Sequence, residues 1–411
     1  MFRRLMTLEE AEGIIIKNLK VAPLGIEEVD ILEACGRVLA VDVVSGIDVP
    51  PFNRSTVDGY AVRSEDTFGA DENNPIRLRV CGAVSVGEVP KISIGRGEAV
   101  EIMTGAPIPD GADAVVMSEH AERMDNEVYI YRAVTKYANI MKAGSDIKRG
   151  ETVLTEGMVL GAREIGALAA IGLSKVKVYK VPRVAVLSTG AEVTEPGKPL
   201  ESGKIYDINA YSLSVAVKEC GGNPIYLGVF PDDALTIEKA LKKALSDADV
   251  VITSGGVSVG PKDLIPRVLN TLGDPGVVVC GVAIKPGKPT TVAIIGDKPV
   301  FALPGHPASA LLVFYLLVRP IIMGLAGRKP KEETIKAIAS TRMISDKGRK
   351  TFVMVNVKKD ECGRLLADPV STGLSGAITT LLKADGFIEI PENQQFIDVG
   401  EEVVVHLFRE L

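Results

Sequence analysis

The run Ser254-Gly-Gly-Val-Ser-Val-Gly-Pro-Lys-Asp263 follows the apolar stretch Val250-Val-Ile-Thr253 and is the first of three loops of one kind. The others are Lys285-Pro-Gly-Lys-Pro289 and Leu303-Pro-Gly-His-Pro307. Each comes after an apolar run that reads as a buried β-strand, and each carries glycine together with polar side chains. In an open parallel sheet, ligands bind in the crevice outside the carboxyl ends of the strands, so loops far apart in sequence can converge there on one site. These loops therefore set both an expected fold, a doubly wound α/β sheet, and an expected place for the chemistry.

Working outward, strands and helices alternate from Val181. Strands are expected at Val184 to Leu187, Ile225 to Val229, Val250 to Thr253 and Val277 to Val282, with a strand pair around Gly296-Asp297. Helices are expected at Ala210 to Glu219, Ala234 to Leu245, Leu264 to Leu272 and from Ala308. Near-continuous apolar strands in such an alternation predict a mostly parallel sheet covered on both faces. The flanks differ. Short alternating runs such as Ile76 to Val80, Ala114 to Met117 and Val128 to Tyr131 predict a β-rich insert. Beyond Gly327 short strands return, as at Phe352 to Val357 and Glu402 to Leu407. The expected fold is thus α/β plus β and multidomain. A discontinuous helix-containing domain (1–45 and 145–180) surrounds a β-rich inserted domain (46–144), followed by the α/β domain (181–327) and a C-terminal β-rich domain (328–411).

Composition bounds the function. The 411 residues call for about three domains of ordinary size. A 46% hydrophobic and 24% charged make-up is that of a globular chain rather than a disordered one. With 47 Lys and Arg against 53 Asp and Glu, no basic footprint for nucleic acid is expected. The five cysteines are scattered, never in a Cys-x-x-Cys pair, and read as reduced core thiols. The N-terminus meets Glu9-Glu10 before any apolar core of a signal peptide, and the apolar stretch Ala308 to Gly327 is broken by Arg319-Pro320, which favours a buried domain helix over a membrane span. A cytoplasmic protein is expected.

The loops offer a coherent donor set. In Ser254-Gly-Gly-Val-Ser-Val-Gly260, the glycines Gly255, Gly256 and Gly260 let backbone N–H groups approach an oxyanion, and Ser254 and Ser258 add hydroxyls. Asp263 is either a ligand for a hard divalent cation or the N-cap of the next helix. Lys285 and Lys288 present two ammonium groups on a proline-stiffened turn suited to a tetrahedral oxyanion, or else lie on a solvated turn. Pro304, Gly305, His306 and Pro307 stand where a helix N-terminus favours an anion; His306 is a donor there or purely structural. Ser188 and Gly190, in Ser188-Thr-Gly-Ala-Glu192, end the first sheet strand, and Glu192, Asp207, Asn209 and Asp232 add carboxylates and an amide to the same edge. Opposite charges on one rim point to a substrate bearing phosphates with a bound divalent metal, for which Asp263, Glu192 and Asp232 are the candidate ligands. Asp58 and Thr104, in Asp58-Gly-Tyr-Ala61 and Met103-Thr-Gly-Ala-Pro107, are either turn residues of the β region or the second half of a composite site completed by another subunit.

The ordered set Asp58-Gly-Tyr-Ala61, Met103-Thr-Gly-Ala-Pro107, Ser188-Thr-Gly190, Gly255-Gly-Val-Ser-Val-Gly260 with Asp263, Lys285-Pro-Gly-Lys-Pro289 and Leu303-Pro-Gly-His-Pro307 resembles the MoeA and gephyrin E-domain family of molybdopterin molybdenumtransferases. Each motif alone is weak; their order along the whole chain carries the match. The C-terminal Ser375-Gly-Ala-Ile-Thr-Thr-Leu-Leu-Lys-Ala-Asp-Gly386 also fits. The resemblance implies a homodimer of four-domain subunits, with a molybdopterin-binding α/β domain and a cleft shared between subunits. It implies Mg²⁺-assisted insertion of molybdate into adenylylated molybdopterin with release of AMP, with a molybdopterin adenylyltransferase as a partner. Carried over by motif, Asp58, Thr104, Glu192, Asp263, Lys285 and Lys288 are the expected catalytic positions, and Arg349 and Ser375 further contacts for molybdate. The chain departs from the family pattern at His306, where Asn is common, at Val57, where Met is common, and at Ala191, where Asp is common. Two other classes stay open on sequence: a molybdopterin adenylyltransferase, and a gephyrin-like scaffold without activity.

Overall fold

The computed structural model describes residues 5–257, 264–329, 333–370 and 377–408. Its contacts form two compact units. One comprises Met1–Glu27, Gly36–Ala40 and Lys177–Leu411; the other comprises Glu28–Cys35 and Val41–Val176.

The larger unit is built on a six-stranded sheet in the order Asn223–Phe230, Arg183–Thr189, Val250–Ser254, Lys298–Leu303, Thr291–Ile295, Pro275–Cys280. The first four strands are parallel and the last two antiparallel to their neighbours. Alternate side chains divide between two apolar layers. Val184, Val186, Val250, Ile252, Phe301 and Leu303 pack with helix Asn209–Glu219 and the helical run from Pro307. Ala185, Leu187, Val251, Val300 and Ala302 pack with helices Ala234–Asp247 and Leu264–Leu272. This is the doubly wound, mostly parallel sheet that the strand–helix alternation requires. Each fully buried Leu, Ile or Val contributes about 1.5–3 kcal/mol through area removed from water.

The apolar stretch after Pro307 is helical to Leu325, with a π-turn at Phe314–Val318. The wider turn precedes Pro320, a residue with no N–H for the helical ladder. By length and composition the run could cross a membrane, but 67% of its most apolar window is buried inside the unit, around Leu312, Phe314 and Val318, as a core helix would be. Helix Leu8–Asn18 is opened by a reciprocal capping box between Thr7 and Glu10 and lays Leu8, Ala11 and Ile15 on the same layer.

The C-terminal strands close into a five-stranded ring: Lys350–Lys359, Leu365–Pro369, Thr334–Ala339, Glu402–Leu407, Gly386–Ile390 and back to Lys350–Lys359. Closure leaves no exposed ladder within the ring. Val355, Ala367, Ile388 and Val405 fill it. The short strand Ile284–Lys285 joins its outside in parallel register, Ile284 opposite Lys350 and Lys285 opposite Thr351.

The smaller unit has its own six-stranded sheet, ordered Ala114–Met117, Gly59–Val62, Glu98–Ile102, Ile76–Val84, Glu127–Ile130, Ala121–Met124. Tyr60 and Val62 face one apolar cluster and Ala61 the other, so both faces are covered.

Candidate active site

Strand direction puts the three glycine loops on one edge of the larger unit's sheet. Ser254 pairs with Ser188 on one side and Leu303 on the other, all at the carboxyl ends of parallel strands. The strand Pro275–Cys280 ends at the same edge, because Cys280 pairs with Thr291 and Thr291 with Ala302. The Lys285–Pro289 turn therefore shares the edge, but two strands farther along than the 304–307 loop.

The loops are also tied to one another. The Gly255 N–H donates to the Leu303 carbonyl at 3.2 Å, and the Gly190 N–H to the Phe230 carbonyl at 3.3 Å. Gly255 has φ +92°, and a Cβ there would lie 2.3 Å from the Thr189 carbonyl oxygen, so only glycine fits. Gly287 is likewise required: its φ is +115° and a Cβ would meet Val313 at 2.7 Å.

The polar side chains at this edge fall into two sets. One set points inward and is satisfied within the fold. Ser188 Oγ donates to Asp207 Oδ1 at 2.9 Å, the Ala210 N–H donates to the same oxygen at 3.1 Å, and the Tyr226 hydroxyl reaches Asp207 Oδ2 at 3.4 Å. Asp207, only 4% exposed and one residue before the N-cap Ile208, thus holds the first turn of helix Asn209–Glu219 through the Ala210 N–H. Burial, with the Asp207 carboxylate beside it, pushes the Tyr226 phenol well above its usual range. Ser254 Oγ, 3% exposed, accepts from Asn209 Nδ2 at 2.7 Å.

The other set points outward. Glu192 and Asp232 are exposed, and no hydrogen bond or ion pair to either carboxylate occurs among the described residues. The Glu192 carboxylate lies over Gly190, with both oxygens 2.8 Å from where a Cβ would stand. Asp233, next to Asp232, is instead spent on the cap of helix Ala234–Asp247, where it accepts from Thr236 N at 2.8 Å. Gly305 and His306 are exposed, and His306 is the N-cap residue of helix Pro307–Val313, whereas Pro304 and Pro307 are buried. Lys288 is half-buried. Lys285 Nζ donates to Asp346 Oδ1 at 2.9 Å, in a pair whose side chains are 51% and 46% exposed. In the strand register beside Lys285, Thr351 stands opposite Lys285 and Lys350 opposite Ile284, while Arg349 closes the neighbouring turn through its N–H to the Asp346 carbonyl at 3.2 Å.

Ser258, Gly260, Asp263 and Ser375 lie outside the described residues. Among the described residues no group of three or more His, Cys, Asp or Glu is gathered to hold a metal ion. The two outward carboxylates stand at the ends of adjacent strands and are hard oxygen donors, a chemistry that fits a divalent cation.

In the smaller unit, Asp58 and Thr104 are brought together across strands Gly59–Val62 and Glu98–Ile102. The Thr104 N–H and hydroxyl both donate to Asp58 Oδ1, at 2.7 and 2.9 Å. These bonds, the backbone one first, hold the Asp58 carboxyl below its ordinary range. Sequence reading missed three partners: Tyr226 for Asp207, Asp346 for Lys285, and the role of the Asn209 amide as a bridge. Only Asp346, in the turn-forming Ser345-Asp-Lys-Gly-Arg349, carried a local signal.

Comparison with known proteins gives these features a common setting. Residues 6–172 match the MoeA N-terminal region (domain I and II), 185–324 match a family described as "Probable molybdopterin binding domain", and 336–408 match the MoeA C-terminal region (domain IV). A molybdopterin molybdenumtransferase of Haemophilus influenzae is 36% identical over 99% of this chain and 100% of its own length. One from Bacillus subtilis is 36% identical over 93% of this chain and 90% of its own length. Two solved structures of molybdopterin biosynthesis MoeA proteins from Pyrococcus horikoshii superpose with TM-scores of 0.87 and 0.80. They are 44% and 34% identical, cover 99% and 98% of this chain, and are each covered over 100% of their own length. With relatives matching end to end and all three regions in family order, the chain belongs to the MoeA family of molybdopterin molybdenumtransferases.

Proposed function

We propose that this chain carries out the transfer for which its family is named, placing molybdenum in molybdopterin during molybdenum cofactor biosynthesis, and that its substrates are adenylylated molybdopterin and molybdate, with AMP released. The reading rests above all on one observation: outward carboxylates, two lysines and glycine-borne backbone donors share a single sheet edge. Molybdate is a tetrahedral dianion, and Lys285 and Lys288 are charge-assisted donors for it. Lys285 is held by Asp346 in a half-exposed pair, and such pairs contribute only about 0–1 kcal/mol, so an oxyanion displaces Asp346 at little cost. Arg349, from the turn that also carries Asp346, would add a planar donor.

Glu192, Asp232 and Asp263 would hold Mg²⁺. When bound there, the ion supplies charge neutralisation for a substrate pyrophosphate. Gly256 brings a backbone N–H close to the phosphates, on a turn that Gly255 anchors through its own N–H to the Leu303 carbonyl, and His306 borders the same crevice. No protein nucleophile is required: a molybdate oxygen or water attacks the molybdopterin-side phosphorus, the bond from that phosphorus to the bridging oxygen breaks, and AMP leaves carrying that oxygen. Asp58, kept ionised by Thr104, serves as a fixed negative group of the smaller unit. The active species is taken to be a cytoplasmic homodimer supplied by a molybdopterin adenylyltransferase.

The test is incubation of the protein with adenylylated molybdopterin, molybdate and Mg²⁺, following AMP and active cofactor. AMP release that needs both Mg²⁺ and molybdate supports the reading. Consumption of ATP with molybdopterin in their place would instead make the chain an adenylyltransferase.

A further inference from the structure

We propose that Asn209 is a positioning residue of this site: its carboxamide ties the Ser254-Gly-Gly turn to the Pro304–Pro307 loop and keeps one buried acceptor that is filled when substrate binds. The proposal rests on the molybdenumtransferase reading for its kinetic part and on geometry alone for the tie.

Asn209 opens helix Asn209–Glu219 and is 7% exposed. Its Nδ2 donates to Ser254 Oγ at 2.7 Å and to the Gly305 carbonyl at 2.8 Å. Ser254 Oγ, having accepted that bond, is 3.5 Å from the Pro304 carbonyl, to which it donates. Directly at Gly305 and through Ser254 at Pro304, the amide therefore clasps the end of strand Val250–Ser254 to two successive carbonyls of the loop after Lys298–Leu303. The orientation of the amide is dictated by chemistry. A carbonyl only accepts, so the atom facing Gly305 must be the NH₂.

Oδ1 is then turned away from both partners. It is buried and has no hydrogen-bond partner among the described residues. Interiors seldom leave such an acceptor unmade. An apolar residue would avoid the vacancy, but it could not donate to Ser254 and Gly305. The donor side is thus what the position needs, and the spare oxygen is an acceptor for an N–H, O–H or ordered water that comes with the substrate. Nothing in this arrangement requires Asn209 to touch the reacting atoms. Through the tie it fixes how far Gly255 and Gly256 stand from Gly305 and His306, the width of the crevice. The Gly255 N–H bond to the Leu303 carbonyl, 3.2 Å, lies beside the tie and reports on it.

The experiment compares wild type with Asn209→Ala and with Asn209→Asp, which keeps the shape but cannot donate to Gly305. Amide hydrogen exchange is followed at Gly255 and, as controls, at Val251 and Ile252 in the same strand. AMP release is measured as KM and kcat for adenylylated molybdopterin. The expected result is Gly255 exchange faster by about tenfold or more, with the controls unchanged. KM should rise by about tenfold while kcat changes much less, a split that general destabilisation does not produce. Wild-type Gly255 exchange and wild-type KM in a folded variant would overturn the proposal, as would faster exchange at all three amides together. If wild type releases no AMP, the functional reading fails, while Gly255 exchange still decides the tie.

Discussion

The two units display their polar motifs in opposite ways. In the smaller unit, Asp58 and Thr104 are exposed and bonded directly to each other, so the motif residues are the surface feature. At the sheet edge of the larger unit the polar motif residues divide: Ser188, Asp207 and Ser254 are buried, face the helix Asn209–Glu219 and are bonded within the fold, while the Glu192 and Asp232 carboxylates face solvent. A strand-end loop on a parallel sheet thus contains two kinds of polar residue. One kind builds the scaffold, and the other is available for ligand.

That contrast can be broken or sharpened by mutation. The largest effect is expected at the turn that both kinds depend on. Gly255→Ala would put a Cβ 2.3 Å from the Thr189 carbonyl at φ +92°, and melting curves should show a loss of about 2–4 kcal/mol with activity abolished. An unchanged melting temperature would mean the turn is free to relax and is no scaffold. Next comes Asp207→Ala, which removes the carboxylate that the first turn of helix Asn209–Glu219 donates to and leaves the Ser188 hydroxyl and Ala210 N–H without their partner. A loss of about 1–3 kcal/mol is expected, and Asp207→Asn, which still accepts, should recover much of it. If instead Asp207→Ala left stability intact and removed activity, Asp207 would belong with the outward set.

A smaller effect is expected in the other unit. Thr104→Val deletes one of two bonds to Asp58 Oδ1, the hydroxyl one, and keeps the stronger backbone bond. The Asp58 carboxyl titration, followed by NMR, should move up part of the way toward the ordinary value. The sign follows from the depressed value in the folded protein. The stabilising bonds to the ionised form are present above the ordinary carboxyl pKa and are lost as pH falls through the depressed one, so wild type should retain them to lower pH than the variant. Coincident titration curves would show that the hydroxyl bond is not made in solution.

The sequence was most legible where pattern and chemistry coincide. Helix Leu264–Leu272 and strand Glu402–Leu407 run as their periodicity indicates, and the hairpin Thr291–Ile295 to Lys298–Leu303 turns at Gly296-Asp297. The sheet edge was legible too, since apolar runs ending in glycine loops define it. What could not be read was direction. Ser188 and Ser254 look like donors in one dimension, but the period of two sends them toward the Asn209 helix, whereas Glu192, three residues past the strand, escapes it. Nor could local pattern reveal that Ile284–Lys285 adds to the C-terminal ring, which sets Lys285 beside Asp346 and Thr351, some sixty residues later. Such pairings are made by tertiary register, for which a single sequence carries no periodic signal.

The central claim is that the outward set, on a scaffold made by the inward set, releases AMP from adenylylated molybdopterin. The most direct measurement is the molybdate- and Mg²⁺-dependent rate of AMP release by Lys288→Ala at matched folded fraction. Losing one charge-assisted donor should slow it by about 10²-fold, with the melting temperature unchanged. A rate equal to wild type would contradict the account.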